Sequence, residues 1–232
     1  MKRVRMLPQP NDVTCGPTCL HAIYDFYGET ISLETVISQV RYLSDGGTLG
    51  VYLGLHALSM NYEVTLNVIN PEVFDPTWFI DDDVDLIEKL NTQLSYKTSR
   101  KLRTASLAFI EFIEKGGKLI SHDISSHFLK TLFEDRQPIL TGLSATYLYR
   151  CKREVTVGDK LLYDDIRGTP SGHFVVLNGY DMRSNKIVVA DPYDGPSSKG
   201  RYYEVRVSRL INSIMLGALT YDANFLLIKP KD

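Results

Sequence analysis

The chain has 232 residues, with 26 Lys and Arg against 28 Asp and Glu and 44% hydrophobic residues, enough for one domain with a substantial core or for one domain of two lobes around a cleft. The near balance of charge excludes a nucleic-acid footprint and a basic membrane-binding face, so no nucleic acid is expected as a partner. Three cysteines, with no apolar run after the basic start Met1-Lys2-Arg3-Val4-Arg5, argue against a disulfide framework and a secretory signal, and a cytoplasmic location is expected; no segment approaches the roughly 20 apolar residues that cross a bilayer.

From Pro8 a polar loop, Gln9-Pro10-Asn11-Asp12-Val13-Thr14, runs into a helix that starts near Cys15 and ends at Gly28. Pro17 suits its first turn, where proline loses no hydrogen bond, and Cys19, Leu20, Ile23, Phe26 and Tyr27 follow helical spacing. Ser32 is the expected N-cap of a second helix carrying Leu33, Val36, Ile37 and Val40. A third follows Gly46-Gly47-Thr48 and carries Leu53, His56, Ala57 and Met60. Residues 1 to about 60 therefore read as a helical lobe.

Residues 62–69 alternate as a strand, closed by Asn-Pro and Asp-Pro turns at 70–71 and 75–76. Asp81-Asp82-Asp83 reads as the solvated N-terminus of a helical pattern over 84–96. Further helical patterns cover 106–115, closed by Gly116-Gly117, and 127–134. The stretch of about 70–135 is expected to be a helical insertion acting as a lid, a specificity element or a dimer contact; the oligomeric state is not legible. From about 138 to 232 the pattern becomes short β-rich runs at 139–143, 173–180, 187–190, 202–207 and 225–228, with a hairpin loop at 181–185. The expected class is α+β, a single domain over 1–232 in which an N-terminal helical lobe packs on a C-terminal antiparallel sheet lobe.

Cys15 stands where a loop passes into a helix, and the unpaired amides and dipole of a helix N-terminus favour a thiolate nucleophile. Gly16 is read as leaving the approach to that sulfur open. Gln9, six positions earlier, is spaced to place its side-chain amide beside the sulfur, where it and the Cys15 N–H would form an oxyanion hole. The base must be brought close in space, and of five histidines His173 stands apart at the head of a β-run, after Ser171-Gly172. Asp191 ends the run Lys186-Ile187-Val188-Val189-Ala190, and a hairpin would set it beside His173 to fix the ring. Asp181 competes for that role but opens a turn, a routine place for aspartate.

Gln9 followed by Cys15-Gly16-Pro17, then Gly172-His173-Phe174-Val175-Val176-Leu177 with Gly179-Tyr180-Asp181, then Asp191-Pro192, resembles the bacteriocin-processing type of papain-like cysteine peptidase, whose better-known members cut leader peptides after a double glycine and are fused to transporters. The resemblance covers about the first 60 and last 100 residues. It implies a papain-like fold, with Gln9 in the oxyanion hole, Cys15 as nucleophile, His173 as general base and acid, and Asp191 as orienter. The chain carries neither membrane spans nor a phosphate-cradling Gly-rich loop, so a stand-alone member without transporter domains is expected. Its leader specificity stays open.

The expected activity is hydrolysis of an amide bond in a peptide or small protein through a Cys15 thioester. The alternatives are an amidohydrolase or acyltransferase acting on a small peptide-like substrate, and a non-catalytic peptide-binding domain. Cys19, one turn along the same helix, reads as core, and Cys151 as incidental. A Cys15–Cys19 metal pair lacks further ligands, so neither metal nor cofactor is expected. His56, His122 and His127 read as satisfied core or surface residues. Some of the 14 tyrosines are expected to line a peptide cleft.

Overall fold

The computed structural model describes residues 3–44, 46–81, 83–158, 160–221 and 223–231. Asp82 and the first two residues of the basic start lie outside them. In chain order the elements are α1 (Cys15–Tyr27), α2 (Leu33–Gln39), α3 (Gly50–Ser59), β1 (Tyr62–Val68), α4 (Leu86–Tyr96), α5 (Arg100–Glu114), β2 (Lys118–Ile120), α6 (Ser126–Leu132), β3 (Ile139–Ser144), α7 (Ala145–Tyr149), β4 (Glu154–Val157), β5 (Lys160–Tyr163), β6 (Gly172–Asp181), β7 (Lys186–Ala190), β8 (Tyr202–Arg206), α8 (Val207–Leu216) and β9 (Asn224–Pro230). Short 3-10 turns lie at Pro76–Phe79 and Gly217–Thr220.

Seven strands form one sheet in the order β2-β1-β9-β3-β6-β7-β8, and β4 pairs with β5 as a separate hairpin. Every pairing in the large sheet is antiparallel except the edge pair β1–β2. Side chains alternate across a strand, and that alternation divides the interior in two. Along β6, Phe174 and Val176 enter the core beneath α1 to α5, whereas Val175 and Leu177 enter the core beneath α6 to α8. On β9, Leu226 and Ile228 join the first core and Phe225 the second. The central strands are therefore apolar on both faces, which is why 174–177 reads as an unbroken apolar run.

Local chemistry sets the ends of the helices. Gly28 closes α1 in the left-handed conformation, φ 92°, and the Ser32 hydroxyl accepts the Thr35 N–H at the start of α2. On α4 the cap is Asp85, whose carboxylate accepts the N–H groups of Ile87 and Glu88; Asp81 and Asp83 precede that turn. Helix α5 starts at Arg100, six residues before the sequence pattern suggests, because Ser99 caps it and Leu102 and Ala105 already face the core. The run at 202–207 ends at Arg206, and Val207 opens α8 beneath the sheet.

The segment ahead of α1 crosses the sheet in extended form. Val4 donates to the Asn178 side chain at 3.0 Å, where a bulge between Leu177 and Gly179 interrupts the β6–β7 register. The Tyr202 hydroxyl donates to Val4 O at 2.9 Å and accepts the Met6 N–H at 3.0 Å. Gln9 then donates its own N–H to Pro192 O at 2.9 Å. Among the described residues no helix is long and apolar enough to cross a membrane.

Candidate active site

Helix α1 runs against β6, and the contact is pinned by the Cys19 thiol, which donates to Phe174 O at 3.2 Å. Burial pushes the Cys19 thiol well above its ordinary pKa, with the charges near Cys15 and Asp191 adding to that, so Cys19 stays a neutral donor that fixes the helix. Cys15 sits one turn nearer the helix start, partly exposed, and His173 precedes Phe174 on the strand. The register of helix on strand thus brings Cys15 near His173, close enough for Cys15 to help raise the His173 pKa.

Gly16 does not open the approach to the sulfur. A Cβ there would stand 2.7 Å from the Thr48 methyl and 3.2 Å from both Leu53 and Phe174. The glycine lets the start of α1 settle onto α3 and β6. Ahead of it, Asn11 and Thr14 tie the loop: Thr14 N–H and its hydroxyl both donate to Asn11 O, and the Thr14 oxygen accepts from Asn11 N–H.

The hairpin β6–β7 places His173 and Asp191 together. His173 Nε2 lies 2.9 Å from Asp191 Oδ1, which leaves Nδ1 as the ring nitrogen for the thiol. Both residues are buried, with 6% and 1% of their surface exposed. Burial is the largest single influence and opposes the charged ring, but the Asp191 carboxylate bonded to it and the nearby Cys15 together outweigh that, and the His173 pKa is pushed up to about 10. Burial likewise opposes the Asp191 carboxylate, yet the charge and hydrogen bond of His173 hold its pKa below the ordinary value. Both shifts favour the ion pair.

Two residues that the sequence reading missed complete the shell around Asp191. Oδ2 accepts from the hydroxyls of Tyr149 and Tyr203, each at 2.8 Å, while Oδ1 also accepts the Tyr193 N–H at 3.0 Å. Tyr203 was findable in principle, since it lies opposite Val189 on β8, two residues before Asp191 on the same face. Tyr149 comes from the five-residue helix α7, which gives no periodicity to read.

Beside the pair is a cleft of about 400 Å³ whose walls include Gln9, Asp12, Glu154, Tyr163 and Tyr193. Its outer wall is the β4–β5 hairpin, which the sequence pattern did not reveal. Gln9 stands in the wall with its Nε2 donating to Asn11 O at 2.8 Å, so one of its two amide hydrogens is engaged within the loop. Cys151 also lines the cleft.

The other histidines lie elsewhere: His21 is buried on α1, His56 bonds Tyr24 and Gln39, and His122 and His127 are exposed. Asp181 accepts from Arg183 N–H and the Ser184 hydroxyl in the β6–β7 turn. Among the described residues no group of three or more His, Cys, Asp or Glu is placed to hold a metal ion.

Residues 117–212 match the model of the Peptidase_C39 like family. Cys15 and Gln9 lie ahead of that span. No curated protein matches the chain. Solved structures similar to it include the peptidase domain of Streptococcus ComA, a bifunctional ABC transporter of a quorum-sensing pathway, at 12% identity over 98% of this chain and 99% of that one, with a TM-score of 0.47. A double glycine motif protease from an AMS/PCAT transporter, solved with the leader peptide, is 13% identical over 99% and 94%, TM-score 0.47. Xylellain, a cysteine protease from Xylella fastidiosa, is 12% identical over 100% and 85%, TM-score 0.44. His173 and Asp191 thus lie inside the span that is similar to the Peptidase_C39 like family.

Proposed function

We propose that the protein is a cysteine peptidase that hydrolyses an amide bond in a peptide or small protein through a Cys15 thioester. The observation that carries this reading is the buried His173 ring, bonded to Asp191 at 2.9 Å, with Cys15 at the start of α1 near enough to act on its charge. In that arrangement the thiol proton passes to His173, and the thiolate attacks the substrate carbonyl carbon. The oxyanion is met by the Cys15 N–H, which lies outside the helical ladder, and by the second Nε2 hydrogen of Gln9. His173 then gives its proton to the departing amine, and a water activated by the same ring opens the thioester. Asp191 keeps the ring turned throughout and stabilises it in the steps where it carries the extra proton.

The test is turnover of a peptide that the wild-type protein cleaves. Cys15→Ala should abolish cleavage, and His173→Gln should reduce it by orders of magnitude, because the ring takes the thiol proton and protonates the departing amine before any thioester exists. Unchanged cleavage by Cys15→Ala rules the reading out.

A further inference from the structure

We propose that Tyr149 and Tyr203 are positioning residues of this site: their hydroxyls hold Asp191 ionised and fix the rotation of its carboxylate, and through it keep the His173 ring protonated and facing Cys15. The proposal rests on the reading of Cys15, His173 and Asp191 as the reacting set.

The hydrogen bonds of Asp191 divide between its two oxygens. Oδ1 serves His173 Nε2 and the Tyr193 N–H, and Oδ2 serves the two phenols, each at 2.8 Å and each from a different element, α7 and β8. Asp191 is 1% exposed. A carboxylate at that depth with one oxygen bare takes up a proton or turns to another partner, and either change removes the charge that holds the imidazolium. Two donors from two elements also fix the carboxylate plane, so Oδ1 stays aimed at the ring.

The phenols can serve only as donors. Burial first, then the Asp191 charge, pushes both hydroxyls far above the ordinary tyrosine range, so neither ionises at any pH the fold meets. Phenylalanine would fill the same ring volume, which separates the hydroxyls from the packing. Tyr149 also reaches the cleft, with its ring centroid 5.9 Å from that of His173 and stacked at 5.5 Å on Tyr193.

The other titratable and charged groups around the pair are Cys15 and Cys19 on α1, Glu154 on β4 with Asp12 beside it, Tyr193, and Arg201, whose guanidinium donates to Asp191 O at 2.7 Å. Of these side chains, Cys15 and Glu154 are near enough to interact with His173 by charge and the Tyr193 ring meets it edge-on at 6.0 Å, while the carboxylate itself is met by the His173 ring, the two phenols and the Tyr193 N–H.

The experiment is the rate of iodoacetamide alkylation at Cys15 over about pH 4 to 9, read by peptide mapping so that Cys19 and Cys151 are scored apart. It uses the full chain as wild type, Tyr149→Phe, Tyr203→Phe, the double variant, Asp191→Asn and Tyr24→Phe. Removing both hydroxyls should move the acid limb of the profile up by about one pH unit, a roughly tenfold loss of rate below the midpoint, with each single variant giving a smaller shift in the same direction. Tyr24→Phe removes a different buried hydroxyl, bonded to His56 at 2.8 Å, and should lower stability without moving the limb. If the double variant does not fold, the singles decide by the same shift. A wild-type profile in the phenylalanine variants alongside a displaced profile in Asp191→Asn overturns the proposal alone. A wild-type profile in Asp191→Asn overturns the reading of the site as well.

Discussion

The Gln9 N–H donates to Pro192 O at 2.9 Å, so a residue in the cleft wall is tied to the loop that begins at Asp191. The rest of the N-terminal segment is held by the Asn178 bulge and by Tyr202, whose single hydroxyl bonds both Val4 and Met6. The position of Gln9 over the cleft is therefore set by contacts on β6 and β8 as much as by the loop before Cys15.

Tyr202→Phe should release that segment. The change deletes one donor and one acceptor while keeping the ring on which Arg3 stacks at 3.7 Å. Leaving Val4 O and Met6 N–H without their partner should cost about 1–3 kcal/mol, read as a lower urea midpoint at unchanged slope. A midpoint equal to wild type would mean that the hydroxyl is not what holds the segment.

How far the sequence could reach follows from where each signal lies. That Cys15, His173 and Asp191 stand at element ends was legible because the elements they bound, one apolar helix and two apolar strands, are strongly patterned. Ser32 and Gly28 marked helix ends by their own chemistry. Tyr149, Tyr203 and the β4–β5 hairpin were not legible, since short elements carry no period and a phenol that bonds a carboxylate reads in sequence like one that only packs. The close fit at Gly16 was hidden for another reason: the Thr48 methyl that fills the space comes from 32 positions away.

Gly16→Ala should be destabilising by overpacking. Its Cβ would meet the Thr48 methyl at 2.7 Å, and Thr48 is held in place by its hydroxyl bond to Arg41 O at 2.7 Å. The expected loss is about 1–3 kcal/mol, with the start of α1 displaced and Cys15 alkylation slowed. Thr48→Ser removes the methyl and keeps the hydroxyl bond, so the double variant should recover much of the loss. A double-mutant cycle with no coupling between the two sites would contradict this contact.

Stability should carry the signature of the His173–Asp191 pair. The His173 pKa is about 10 in the folded protein and about 6.5 in an unfolded chain. Its contribution is therefore fully present below about pH 6.5 and is lost as pH rises toward 10, at up to about 1.4 kcal/mol per pH unit. Asp191 is shifted down, so its contribution is present above the ordinary carboxylate range and is lost as pH falls through its folded value. The difference in unfolding free energy between wild type and His173→Gln should be level from about pH 5 to 6.5 and shrink from there toward pH 9. A difference that stays constant across pH 7 to 9 would show that His173 is neutral in the folded state.

Charge in the cleft should set substrate preference. Asp12, Glu154 and Asp194 line it, and among the described lining residues none is Lys or Arg; Asp194 is already paired with Arg201. Burial raises the Glu154 pKa, with the Asp12 charge adding to that, while the Ser171 hydrogen bond and the His173 charge oppose it. Once ionised, Glu154 places a negative charge in a partly dry wall, where it is screened less than at the surface. A peptide with Lys or Arg near the scissile bond should be cleaved roughly tenfold more efficiently than its Glu counterpart at low ionic strength, as kcat/KM. Glu154→Gln should shrink that ratio several-fold, and raised salt should act in the same direction with a smaller effect. Competition between the two peptides in one reaction measures the ratio directly; a ratio unaltered by Glu154→Gln would remove this carboxylate from substrate selection.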